Sequence, residues 1–185
     1  MFDNKKPFIF AVIALFLLSG CMSGCGYTTA SLLPPGLDSI YVSNFANEIE
    51  PTREISDRRN SYSYRPGLEN EITRAVIDGF IFDRHLDIVS EKEAALVLKG
   101  SLVDFRQYPL SYSDGLDVEE FRMEIYVSLE LYNKKTGELM WQDSSFMGLT
   151  NYTVTGPNKK TGAQAQKAAV EDLAQRIVER IVEHW

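Results

Sequence analysis

The 185-residue chain has only two cysteines and two histidines, and each scarcity removes a class of chemistry. Cys21 and Cys25 both lie near the amino end, so the body of the chain holds no disulfide framework and no cysteine-based metal site. His85 falls in a connection and His184 beside the C-terminus, in no H-E-x-x-H or other ligand spacing. There is no G-x-x-x-x-G-K, no G-x-G-x-x-G and no G-x-S-x-G. Lys135-Thr136-Gly137 and Lys160-Thr161-Gly162 spell a triad of penicillin-recognising enzymes, but that chemistry also needs a serine three residues before a lysine, which no lysine here has. The two copies read instead as a hairpin turn and a helix start. Positive charge is short as well: 19 Lys and Arg against 26 Asp and Glu leave a net charge of −7, which argues against a general nucleic-acid binder. Carboxylate pairs such as Glu69 with Glu71, or Glu119 with Glu120, fall where solvated faces are expected. The expectation is a chain that is not an enzyme, with no catalytic residue, no metal and no dissociable cofactor.

Long apolar runs are equally scarce. One exists, Phe8 to Leu18, with Lys5 and Lys6 in front, too short to span a bilayer and followed by small residues, as in an export signal. Leu18-Ser19-Gly20-Cys21 resembles the lipobox of bacterial lipoproteins, whose cysteine thiol takes a diacylglyceryl group before cleavage. Met22-Ser23-Gly24-Cys25 repeats small-small-Cys. Adjacency to the apolar run favours Cys21 as the acylated residue, with Cys25 the alternative. By the same resemblance, a second position without Asp directs the lipoprotein to the outer membrane. The predicted organisation is a signal peptide over 1–20, a lipidated tether over 21–38 and one domain over 39–185. A soluble domain would then be held at the membrane by a covalent N-acyl and S-diacylglyceryl lipid, which with two or three chains is effectively permanent.

Within the domain, Ser39 to Phe45 alternates with Ile40 and Val42 on one side and reads as a strand. Residues 46–66 read as a long polar loop in which Arg53, Arg58, Arg59 and Arg65 are interleaved with Tyr62 and Tyr64. Guanidinium forks suit phosphates and carboxylates, and tyrosine adds a half-apolar contact surface. These six residues are the candidate contact site. Pro66 suits a first helical position, and Leu68, Ile72, Ala75, Val76 and Phe80 recur at helical spacing, predicting a helix over roughly 67–82. Leu86 to Val89 is a short strand and Ala94 to Val103 a central one. From Phe121 to Tyr132 apolar and polar residues alternate without a break. One face is then buried and the other wet, and each apolar side chain is worth about 1.5–3 kcal/mol. Asn133 to Gly137 is the turn, and Leu139 to Tyr152 the returning strand. Thr161 and Gln164 have capping-box spacing before an apolar stripe of Ala169, Leu173, Ile177 and Ile181. Tyr126 and Tyr132 on the wet face, beside a connection carrying Tyr108 and Tyr112, make a second candidate surface. The fold class is α+β, a mainly antiparallel or mixed sheet of about four strands with two helices packed on one face.

The order and spacing of several segments carry a family resemblance. Cys25-Gly26-Tyr27 and Leu33 to Glu48 look like the opening of the LPS-assembly lipoprotein family (LptE-like), and Pro66 to Glu71 resembles its first helix start. Ala94 to Gly100 and Thr136 to Trp141 resemble its later strands. The family places its acylated cysteine directly before Gly-Tyr, which here is Cys25. The resemblance implies a lipid-anchored plug on the periplasmic side of the outer membrane, seated in the β-barrel LPS translocon (an LptD-like partner), helping it assemble and contacting LPS itself. The competing expectation is an outer-membrane lipoprotein that activates a peptidoglycan synthase or forms part of a secretion channel.

Overall fold

A computed structural model describes residues 33–49 and 66–183. The elements in chain order are β1 (Ser39–Val42), β2 (Ala46–Asn47), α1 (Leu68–Asp83), β3 (Asp87–Ile88), β4 (Leu96–Tyr112), β5 (Val118–Asn133), β6 (Leu139–Thr153) and α2 (Gly162–Glu183). They form the α+β arrangement expected from the sequence, with one correction: the sheet has six strands, not about four. The strand not expected is β2, two residues long, too short to show any periodicity and lying within what reads as loop, whereas β3 lies inside the short strand expected over Leu86 to Val89.

The sheet runs β3-β1-β4-β5-β6, and β2 joins β4 on the edge that β1 already uses. β1 pairs in parallel with β3 and with Leu96 to Leu98, and β2 in parallel with Ser101 and Leu102. β4, β5 and β6 form a long antiparallel meander. Between β1 and β2 the chain folds Phe45 over Gly100, where an added Cβ would lie 2.3 Å from the ring, so glycine is required there. Thr73 of α1 fixes this corner: its hydroxyl accepts the Phe45 N–H at 3.0 Å and donates to the Glu69 carbonyl at 2.8 Å.

β5 is the strand that the alternation promises. Met123, Ile125, Val127, Leu129 and Leu131 are fully buried against the helices. α2 lays Ala165, Ala169, Leu173, Ile177 and Ile181 on the same face, and Leu68, Ile72, Val76 and Phe80 of α1 complete the core. Thr161 and Gln164 form the reciprocal cap expected of them. The Gln164 amide oxygen accepts the Thr161 N–H at 2.8 Å, and the Thr161 hydroxyl accepts the Gln164 N–H at 3.3 Å. α1 departs slightly from expectation, because Pro66 sits in the preceding turn and Gly67, at φ 105°, is the N-cap. A left-handed cap of that kind favours glycine.

β4 is the larger correction. It does not stop near Val103 but continues to Tyr112, taking Tyr108 and Tyr112 out of a connection and into the sheet. A bulge between Leu102 and Asp104 explains why the alternation lapses there. Leu96, Leu98 and Leu102 point to the helices before the bulge, and Phe105 and Gln107 after it, so the parity changes from even to odd. Gln107 is thereby carried inward, 6% exposed, and its amide oxygen has no hydrogen-bond partner. A buried, unpaired polar atom costs about 1–3 kcal/mol. Gln107→Met, nearly the same length without the amide, is expected to gain about 1 kcal/mol and raise Tm by about 2–4 °C in thermal denaturation.

Candidate functional site

The parity change that buries Gln107 also builds a polar cluster on the sheet. On the sheet face turned away from the helices, the register sets Asp104 beside Tyr126, Arg106 beside Glu124, Tyr108 beside Arg122 and Lys99 beside Glu130. Next in line on β6 stand Met147, Leu149, Asn151 and Gln142. Glu124 is the hub. Its carboxylate accepts the Tyr108 hydroxyl at 2.5 Å through one oxygen and the Tyr126 hydroxyl at 2.8 Å through the other. The face that the sequence marks as wet is therefore half covered, and Glu124 itself is only 7% exposed.

The flanking charges are placed as firmly. Arg106 is ion-paired to Asp104 at 2.7 Å and lies 4.8 Å above the Tyr126 ring. Arg122 donates its Nε–H to the Asn151 side-chain oxygen at 2.9 Å, tying β5 to β6. One turn of the pattern away, Lys99 lies over Tyr132 at 4.9 Å, and the Tyr132 hydroxyl donates to Glu130 at 2.8 Å. Proton affinities follow from these contacts. The hydrogen bond to Glu124, reinforced by burial, pushes the Tyr108 phenol above its ordinary value. Burial and then Glu124 raise Tyr126, and the bond to Glu130 raises Tyr132. All three phenols stay protonated donors well into alkaline conditions. The bond to Asp104 holds Arg106 charged.

What this arrangement supplies is a pre-set surface of phenols and charges. Three tyrosine rings and three cationic groups are locked onto a flat strand surface, their rotamers fixed by ladder contacts before anything arrives, and pre-set side chains lose little entropy on docking. Tyr126 and Tyr132 are on the face assigned to them. Tyr108 joins them through the bulge, which the sequence signals only as a lapse in alternation. Glu124, the residue that organises the cluster, carries no motif at all. Tyr112, at the far end of β4, is more than half exposed and stands apart from the cluster. Lys135-Thr136-Gly137 is the β5–β6 turn, where Asn133 Oδ1 accepts the Lys135 and Thr136 N–H groups at 3.0 and 3.2 Å. Lys160-Thr161-Gly162 is the start of α2. The other candidates, Cys21, Cys25, Arg53, Arg58, Arg59, Tyr62, Tyr64 and Arg65, lie outside the described residues.

A family model described as lipopolysaccharide-assembly, LptE, matches residues 37–184, from the residues before β1 through α2. The chain belongs to the LptE family. LptE-family proteins are accessory lipoproteins of the bacterial envelope, and membership agrees with the resemblance carried by the strand and helix starts. No curated protein sequence matches the chain. Among solved structures it is similar to a PelC dodecamer from Paraburkholderia phytofirmans, at 16% identity and TM-score 0.44, covering 85% of this chain and 96% of that one. Rare lipoprotein B from Shewanella oneidensis is similar at 16% identity and TM-score 0.41, with 76% and 89% covered. A minor lipoprotein from Acinetobacter baumannii is similar at 12% identity and TM-score 0.43, with 78% and 92% covered. No helix among the described residues is long and apolar enough to cross a membrane.

Proposed function

We propose that this LptE-family protein is acylated at Cys21 or Cys25 after removal of the signal peptide, anchored on the periplasmic side of the outer membrane, and seated in the lumen of the β-barrel LPS translocon. There it would stabilise the barrel's assembly and lie on the route of LPS to the cell surface. The reading is supported by family membership together with the ladder of Arg106, Arg122, Lys99, Tyr108, Tyr126 and Tyr132 on the sheet face turned away from α1 and α2. Barrel lumens are lined by polar side chains, and a rigid surface of paired charges and phenols meets such a lining without burying an uncompensated group. The Arg53, Arg58, Arg59, Tyr62, Tyr64 and Arg65 segment is proposed as a further contact, its guanidinium groups meeting carboxylates of the barrel or phosphates of LPS.

Affinity purification of the tagged, full-length protein from detergent-solubilised outer membranes tests this. A single large β-barrel protein in near-stoichiometric amount is the expected companion. Recovery of a murein synthase, or of secretion-channel subunits in place of the barrel, would overturn the reading.

A further inference from the structure

β6 is an outer strand of the sheet, and among the described residues no strand pairs with its far edge. A fifteen-residue edge is long, and edges of that length are ordinarily blunted by lysine, proline or several charges. β6 carries only Asp143, with neither lysine nor proline, whereas β5 carries five charged residues over a similar length. Such an edge reads as one that is meant to be paired.

Its backbone orientation can be fixed. The Val154 N–H bonds inward to the Glu119 carbonyl, whereas the Thr153 carbonyl accepts from the Lys160 N–H. The Leu149 N–H is likewise turned outward and donates to the Asp172 carboxylate of α2 at 2.9 Å. By antiparallel alternation Met147 and Asn151 present their N–H and C=O groups to the same open side. Asp172 is a removable cover. Arg176 binds the same carboxylate oxygen at 2.8 Å, so the carboxylate keeps a partner if the Leu149 N–H is taken by something else. Beside this edge a cleft of about 390 Å³ opens between β6 and α2, lined by Asp143, Ser145, Phe146, Arg176, Glu179 and Arg180.

We infer that the β6 edge receives an extended segment of the partner protein as a seventh strand, paired to Met147, Leu149 and Asn151. One of the segment's side chains enters the cleft over Phe146, and an incoming carbonyl replaces Asp172 at the Leu149 N–H. The occupant is a partner segment bearing Lys or Arg, not a second copy. Self-pairing would bring Asp143, Asp172 and Glu179 of both copies to one seam, with only Arg176 and Arg180 from each to offset them, in a chain whose net charge is already −7. This deepens the docking reading above and rests on it for the identity of the partner.

Amide hydrogen exchange resolved to single residues tests it, comparing the isolated protein with the complex purified on the tagged chain from outer membranes. In the isolated protein the Met147 and Asn151 amides are expected to exchange fast. In the complex they are expected to slow by at least a hundredfold, and the double variant M147P/N151P, whose prolines an edge strand accepts, is expected to retain less than a tenth of the co-purifying barrel. If the barrel co-purifies but these amides exchange as fast as in the free chain, strand addition is overturned and docking stands. A chain recovered without a barrel overturns both.

Discussion

Gly148→Ala is expected to cost about 3 kcal/mol, at the upper end of what overpacking does, and to lower Tm by about 6–12 °C. A Cβ at Gly148 would sit 2.4–2.7 Å from Cβ, Cα and N of Leu173. Two of these three atoms are helix backbone, which cannot rotate aside, so α2 as a whole would have to lift from β6. Leu173, Ala169 and Ile177 would lose part of their burial with it. Gly79→Ala is the internal control. There the one close atom is Val178 Cγ2 at 3.0 Å, a side-chain methyl that has to give by only a few tenths of an ångström, and replacing a helical glycine recovers up to about 1 kcal/mol. Thermal denaturation should therefore show one variant badly destabilised and the other near wild type. A Gly148→Ala protein that melts with wild type would mean that α2 does not lie on β6 as described.

Replacing both Cys21 and Cys25 with serine is expected to release the protein wholly from outer membranes that have been washed free of the barrel. Serine cannot form the thioether. Each buried methylene contributes about 0.8 kcal/mol, and whereas a single chain gives marginal binding, two or three hold a protein effectively for good. The single variants separate the readings. If Cys21 is acylated, Cys21→Ser alone solubilises the protein and Cys25→Ser changes nothing. If the Gly-Tyr that follows Cys25 marks the site, the pattern reverses. Sedimentation, with mass spectrometry of the amino-terminal peptide, checks all three, and wild type carrying no acyl chain would refute the anchor.

The elements legible in the sequence were those whose burial repeats. β5 and α2 each commit one uninterrupted face to the core over many residues, so period two and period 3.6 appear without help from context. β2 left no such trace because a pair of residues has no period, and it is a strand only because β4 lies beside it; β3 was read only as part of the short apolar run from Leu86 to Val89. β4 was half legible, since its bulge at Val103 reverses which residues face inward and makes the second half look irregular. The Glu124 hub was hidden for the same reason. Its two tyrosines lie 16 positions before it and two after it, and only a register that already includes the bulge brings both hydroxyls to one carboxylate. A glutamate in an alternating strand is otherwise indistinguishable from any solvated one.

The parallel pairing of β1 has a bearing on when the domain can form. Ser43 donates to the carbonyl of Leu98, and Ser39 accepts from Ala95, across 55 and 56 positions of chain. Synthesis delivers the amino end first, so Ser39 to Val42 has no strand to join until Asp87 and Ile88, and then Leu96 to Leu98, have emerged. For that interval β1 has no partner, and the sheet closes over it from the carboxyl side.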